Sequence, residues 1–191
     1  MDMLLQKIQT NYSLTDKDIK YLKFTLTGLF YDISKMVLLF LFFFAIDETA
    51  AFFLDLALLL LLRGNHGGLH TKHYFSCFLM SFFFLAFAIC IMPAAFPVIP
   101  KPIILLALTF CILVNYLIGP VRSEQCHVKD PGIFKRNQIN TFMVVFIFMI
   151  VSYALPTSHL MTTGFWIIVA QSVQLIIAKC MQQHKRKEAT I

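Results

Sequence analysis

Long apolar runs separated by short polar gaps set the pattern of this chain. The runs cover about residues 24–46, 50–62, 74–92, 103–118, 139–155 and 160–178. A helix that crosses a bilayer needs roughly 20 mainly apolar residues, whereas the strands of a membrane barrel alternate apolar and polar positions. The runs do not alternate, so the pattern predicts an all-α, polytopic membrane bundle of about six spans. The second run, 13 residues, is short for a full crossing; it thins the bilayer, lies partly in protein, or is re-entrant. PAAFPVIPKP, residues 93–102, is expected to break any helix, because proline lacks the N–H that the helix needs. The polar stretch 119–138 reads as a loop, and 156–159 as a short turn. The chain is read as one domain, 1–191. Residues 1–23 form an amphipathic lead in which Ser13 or Thr15 caps a helix through Asp16, Asp18 and Ile19. Residues 24–178 form the transmembrane bundle and 179–191 a basic tail. The lead either lies in the interface or is an ordinary solvated helix.

Charge orients this arrangement. Lys7, Lys17, Lys20 and Lys23 precede the first run, and Arg63 and Lys72 follow the second. Arg122, Lys129, Lys135 and Arg136 follow the fourth, and Lys179, Lys185, Arg186 and Lys187 close the chain. The opposite gaps hold only Lys101, with Asp47 and Glu48. Cytoplasmic loops carry the excess of Lys and Arg, so both termini are expected in the cytoplasm. The net charge of +6 is then a matter of topology and anionic lipid, and it points to no nucleic-acid partner.

Composition agrees. The chain is 59% hydrophobic with 21 phenylalanines and a mean hydropathy of +0.76, against roughly 45–50% apolar in ordinary soluble domains. Five scattered cysteines give neither a disulfide framework nor a CxxC zinc site. Charges run past the point where a signal peptide's apolar core would begin, so no cleavable signal is expected. Charged residues inside spans face protein, water or each other. Asp32 and Lys35, three apart on one helical face, are read as an ion pair, or Lys35 as snorkelling to the membrane edge. Asp55, in the short second run, is either a functional intramembrane charge or a buried hydrogen-bonded carboxylate.

The chemistry concentrates in RGNHGGLHTKHYFSC, residues 63–77. A thiol and several imidazoles at the edge of an apolar run suggest a cysteine nucleophile with a histidine base. Cys77 is expected in the first turn of the third span, where the helix N-terminus and the nearby Lys72 favour the thiolate. His73, four residues away, would neighbour it on a helix. His70, seven away, would lie about 10.5 Å along a continuous helix at roughly 1.5 Å per residue and must fold back from the loop. Spacing leaves the base open between them. His66, His70, His73 and Cys77 also fall on one helical stripe with zinc-ligand chemistry. Gly64, Gly67 and Gly68 make a helix there costly, and a stripe three turns long does not converge on one ion, so no metal or other cofactor is expected. Solvated loop histidines beside a packed cysteine are the bland alternative.

With these residues in view, the chain resembles the accessory gene regulator B (AgrB) family of membrane cysteine endopeptidases in bacterial quorum sensing. The resemblance rests on GGLHTKHYFSC, residues 67–77, with the GPVRSEQ segment at 119–125, the length, the several spans and the basic tail. It implies that His70 is the catalytic histidine and Cys77 the nucleophile, and it assigns no role to His66 or His73. The implied substrate is an AgrD-type propeptide with an amphipathic N-terminal helix and an acidic C-terminal tail. The implied reaction removes that tail and closes a thiolactone or lactone. Lys129, Lys135 and Arg136 are candidate contacts for the acidic tail, with topology as their plainer role. Ser123, Gln125 and Asn137 are unranked candidates for an oxyanion donor. The resemblance further implies a homodimer, while the charge pattern puts the site at the cytoplasmic face of the cell membrane. A membrane transporter or peptide exporter, using Asp32, Lys35 and Asp55, is the alternative, and a non-catalytic scaffold the third reading.

Overall fold

A computed structural model describes residues 16–66, 74–119, 131–155 and 157–188. Among them there are six helical rods and no strand: α1 (Asp16–Ala45), α2 (Thr49–His66), α3 (Tyr74–Ala95), α4 (Lys101–Ile118), α5 (Pro131–Ala154) and α6 (His159–Glu188). Five carry segments long and apolar enough to cross a membrane: Thr25–Ala45 in α1, all of α3 and α4, Gly132–Ala154 in α5 and His159–His184 in α6. α2, with Asp55, Arg63 and the polar end at Gly64–His66, is not among these five. The protein is a helical membrane bundle.

The chain divides into two units, one ending at Ala45 and one beginning at Ile46. In the first, α1 is continuous from Asp16, and Lys35 Nζ lies 3.1 Å from Asp32 Oδ1, the ion pair expected from their spacing.

The second unit is built around α6. Of the 18 residues in its most apolar stretch, 56% are buried, against 17–28% for α3, α4 and α5. Leu58 of α2, Phe148 of α5 and Gly164 of α6 meet at one point. A methyl group placed on Gly164 would lie 2.7 Å from the Phe148 ring and 3.2 Å from Leu58 Cδ1. Small residues let helix backbones approach in membranes, where packing replaces the hydrophobic drive.

Cross-links at both ends fix the directions of the helices. His159 Nε2 lies 2.9 Å from Glu48 Oε2, at the starts of α6 and α2. Asn140 Nδ2 donates to Asn65 Oδ1 at 3.3 Å, joining the first part of α5 to the end of α2. α2 and α6 are therefore parallel, with α5 antiparallel to both. α2 runs from one end of this unit to the other and does not turn back halfway. Its 18 residues, about 27 Å at 1.5 Å each, include the polar turn that lengthens the 13-residue apolar run.

α4 joins α6 through Asn115, whose Nδ2 donates to Ser172 Oγ at 2.9 Å and to the Cys111 carbonyl at 2.7 Å. Lys101, the lone base of its gap, donates to the Tyr153 carbonyl at 2.9 Å and so offsets the negative end of the α5 dipole.

The break expected in 93–102 falls after Ala95 and before Lys101, but two helix boundaries need correction. Pro93 does not stop the third helix. Residues Phe87–Ile91 form a π-helical turn, with Met92 N–H bonded to the Phe87 carbonyl. The wider turn relieves the clash a proline ring makes with the carbonyl four residues back, and the helix continues to Ala95. Nor is 131–138 a loop. Pro131 is the first residue of α5, a position where its missing N–H costs nothing.

The Gly164 contact makes a specific prediction. Gly164→Leu should lower the detergent melting temperature sharply, and Gly164→Ala should cost about 1–3 kcal/mol through overpacking. Phe148→Leu should recover part of the Gly164→Ala loss; an unchanged melting temperature in both single variants would show that the seam is loose.

Candidate functional site

The end of the unit where α2 finishes and α3 begins gathers the chemistry. α2 closes on Arg63, Gly64, Asn65 and His66. Asn65 Nδ2 bonds the Leu61 carbonyl at 2.7 Å, satisfying one of the helix's last open carbonyls, while its Oδ1 accepts from Asn140. The α2 terminus is thereby tied to α5. Eight residues after α2, α3 begins at Tyr74, and Cys77 is in its first turn, half-buried, as a free thiol.

Arg63 acts electrostatically on this thiol. Its guanidinium is partly buried and close enough to Cys77 for their charges to interact. Arg63 and Cys77 are 14 residues apart in sequence, one in the last turn of α2 and the other in the first turn of α3. The other described cysteines differ in setting: Cys111 is buried, Cys90 half-buried in the π-helical turn, and Cys180 exposed.

The start of α5 sits at the same end. Lys135 and Arg136 are exposed on its first turns. One turn on, Gln138 Nε2 donates to the Tyr116 carbonyl at 2.7 Å, closing the end of α4 against α5. Gly119 ends α4 with φ +66° and ψ −179°, a region open essentially only to glycine, and its N–H bonds the Asn115 carbonyl at 3.1 Å. A methyl group there would come 2.7 Å from Phe134 Cζ. The GPVRSEQ segment thus leaves α4 at a position built for glycine.

Of the residues singled out by sequence, the structure brings Cys77, Lys135 and Arg136 to one end. His70, His73 and Lys129 lie outside the described residues, as do Ser123 and Gln125. Asp55 stands apart: it is fully buried in α2, two turns from Arg63, or about 12 Å at 1.5 Å per residue. Asp32 and Lys35, the exporter's other candidate charges, pair with each other on α1. Sequence reasoning missed Arg63, because a base beside an apolar run reads as topology. No group of three or more metal-ligating side chains occurs among the described residues.

The pattern that defines the accessory gene regulator B (AgrB) family matches residues 1–175. The chain belongs to the AgrB family. Among curated proteins, an AgrB-like protein of Clostridium beijerinckii is 25% identical over 127 residues, 66% of this chain and 63% of its own length. This AgrB protein therefore spans somewhat less than two thirds of that relative. No solved structure matches it. Membership places the chain in the membrane-bound part of quorum-sensing accessory gene regulation.

The Arg63 contact is testable on the free protein. In a Cys180→Ser background, Arg63→Met should slow alkylation of Cys77 by iodoacetamide by up to about tenfold, since a partly exposed charge pair is worth on the order of 1 kcal/mol. Arg63→Lys should retain most of the rate. Equal rates in all three proteins would remove Arg63 from the thiol's surroundings.

Proposed function

We propose that this AgrB protein is a multi-pass cell-membrane cysteine endopeptidase that removes the C-terminal tail of an AgrD-type propeptide and promotes its cyclisation. The observation that carries the reading is the half-buried thiol of Cys77, in the first turn of α3 and within reach of the Arg63 charge, in a chain of this family. Cys77 Sγ attacks the scissile carbonyl; the C–N bond breaks and His70 protonates the leaving amine, leaving a thioester on the enzyme. A thiol or hydroxyl within the peptide attacks this thioester, closes the thiolactone or lactone, and returns the Cys77 thiol. Exchange of one thioester for another is nearly balanced, so the cost of the broken peptide bond falls on the first step. Excluding water prevents hydrolysis to a linear product, which suits a site sunk at the edge of a bundle.

The basic end supports recognition of the acidic tail. Lys135 and Arg136 stand exposed at the end that holds Cys77, and Lys129 precedes them in sequence. By the positive-inside rule this end is cytoplasmic. A homodimer in the membrane completes the proposal on family grounds.

Co-expression with the propeptide, followed by mass spectrometry, tests the dyad. Wild type should yield a ring product lighter by one water than the linear peptide. Cys77→Ala and His70→Ala should yield none, while His73→Ala stays active. Processing that survives Cys77→Ala would overturn the peptidase and favour the exporter. Separately, Lys135→Glu with Arg136→Glu should raise the KM for propeptide roughly 10-fold with little change in kcat, and the effect should shrink as salt screens it. A fall confined to kcat would place these bases elsewhere in the reaction.

A further inference from the structure

Near the middle of α2, toward the end away from Cys77, α2 and α6 enclose an acid. Asp55 is 0% exposed, and neither carboxylate oxygen has a hydrogen-bond partner among the described residues. Thr163 of α6, fully buried as well, faces it. The Thr163 hydroxyl also lies 3.1 Å from the Leu160 carbonyl, so its single proton serves two acceptors. Thr162 bonds the Ser158 carbonyl at 3.2 Å. Among the described residues, one shared hydroxyl proton is all that this dry seam offers the two carboxylate oxygens, and an acid so poorly satisfied is expensive to leave uncompensated.

The other ionisable groups around this seam deepen the need for positive charge. Glu48, at the start of α2, acts electrostatically on both Asp55 and Cys90 of the π-helical turn in α3. His159 of α6 pairs with Glu48 at 2.9 Å but is itself 47% exposed, at the outer rim. On α5 the buried positions at this end are Val145, Phe148 and Ser152, none of them charged. No cationic side chain among these groups faces Asp55.

The geometry points to a binding site for one small monovalent cation, a proton or a sodium ion, between Asp55 and Thr163, reached from the Glu48–His159 end. A proton on Asp55 would be donated to Thr163 Oγ. A sodium ion would be held by the carboxylate and the same hydroxyl oxygen, ligand types that hard cations take. Either occupant neutralises the carboxylate and closes its contact with Thr163 across the α2–α6 seam. The site is independent of Cys77 and of the peptidase reading.

The full-length chain in liposomes tests this through infrared difference spectra of wild type minus Asp55→Asn at neutral pH, in sodium and in choline buffer. A carbonyl stretch of a protonated carboxyl, the same in both buffers, identifies the proton. Carboxylate bands that shift when choline replaces sodium identify the sodium ion. Carboxylate bands indifferent to the cation overturn the site. Should Asp55→Asn fail to fold, labelling of the wild type with dicyclohexylcarbodiimide, mapped by peptide mass, decides instead. The reagent attacks protonated carboxyls in apolar surroundings, so an adduct on Asp55 in both buffers marks the proton. An adduct only after sodium is withdrawn marks the sodium ion, and no adduct in either buffer overturns the proposal.

Discussion

The close approach of α2, α5 and α6 at Gly164 is the constraint on which the second unit depends. With no side chain at 164, the Phe148 ring and Leu58 occupy the volume a Cβ would take, so side chains of α5 and α2 seat directly on the α6 backbone. Lipid tails are as apolar as leucine, so helices in a membrane gain little from hiding greasy surface; packing and interhelical hydrogen bonds must hold them. The bundle uses both. The Gly164 seam supplies the packing, and Asn115–Ser172 supplies a buried polar link between α4 and α6. Because α2 is held in register against α6, its last turn arrives near the start of α3, and the Arg63 charge acts on Cys77. The chemistry at one end is thus a consequence of packing in the middle.

The polar interior follows a simple rule. Most buried hydroxyls bond a carbonyl one turn back on their own helix, as Ser172 does to Ile168 and Thr162 to Ser158. Such groups are satisfied locally and ask nothing of a neighbour. Asn115 has donors left over after the Cys111 carbonyl and so reaches α6. A carboxylate has no proton with which to satisfy itself in this way. That difference in donor inventory, and not burial alone, separates Asp55 from hydroxyls such as Ser172 and Thr162.

Hydropathy made the helices legible, and with them the fold class, because each apolar run is long and uninterrupted. It misjudged their ends, since a helix need not stop where its greasy residues do. Lys135, Arg136 and Gln138 were read as loop, yet they continue α5, with Gln138 closing the end of α4. The polar turn Arg63–His66 likewise extends α2 to a length the apolar run alone lacked. The π-helical turn before Pro93 carries no sequence mark, because FAICI is as good an α-helix as any neighbouring stretch. The thiol at the head of α3 and the Asp32–Lys35 pair were legible because both depend on local spacing. Arg63 beside Cys77 and Asn65 beside Asn140 were not, because they exist only once helices distant in sequence are set in register.

The two ends of the second unit are chemically unlike. One end holds a free thiol, a guanidinium and exposed bases on α5. The other holds Glu48, His159 and the buried Asp55, with Lys101 already committed to the Tyr153 carbonyl. A bundle whose packing needed only apolar contacts would have no reason to keep an acid in the α2–α6 seam, since an apolar residue of similar size would avoid the desolvation cost. Retaining Asp55 opposite a single shared threonine hydroxyl makes sense if a cation completes the pair. The same rigid α2 then carries a nucleophile's partner at one end and a charge-binding position near the other, joined by two turns of helix.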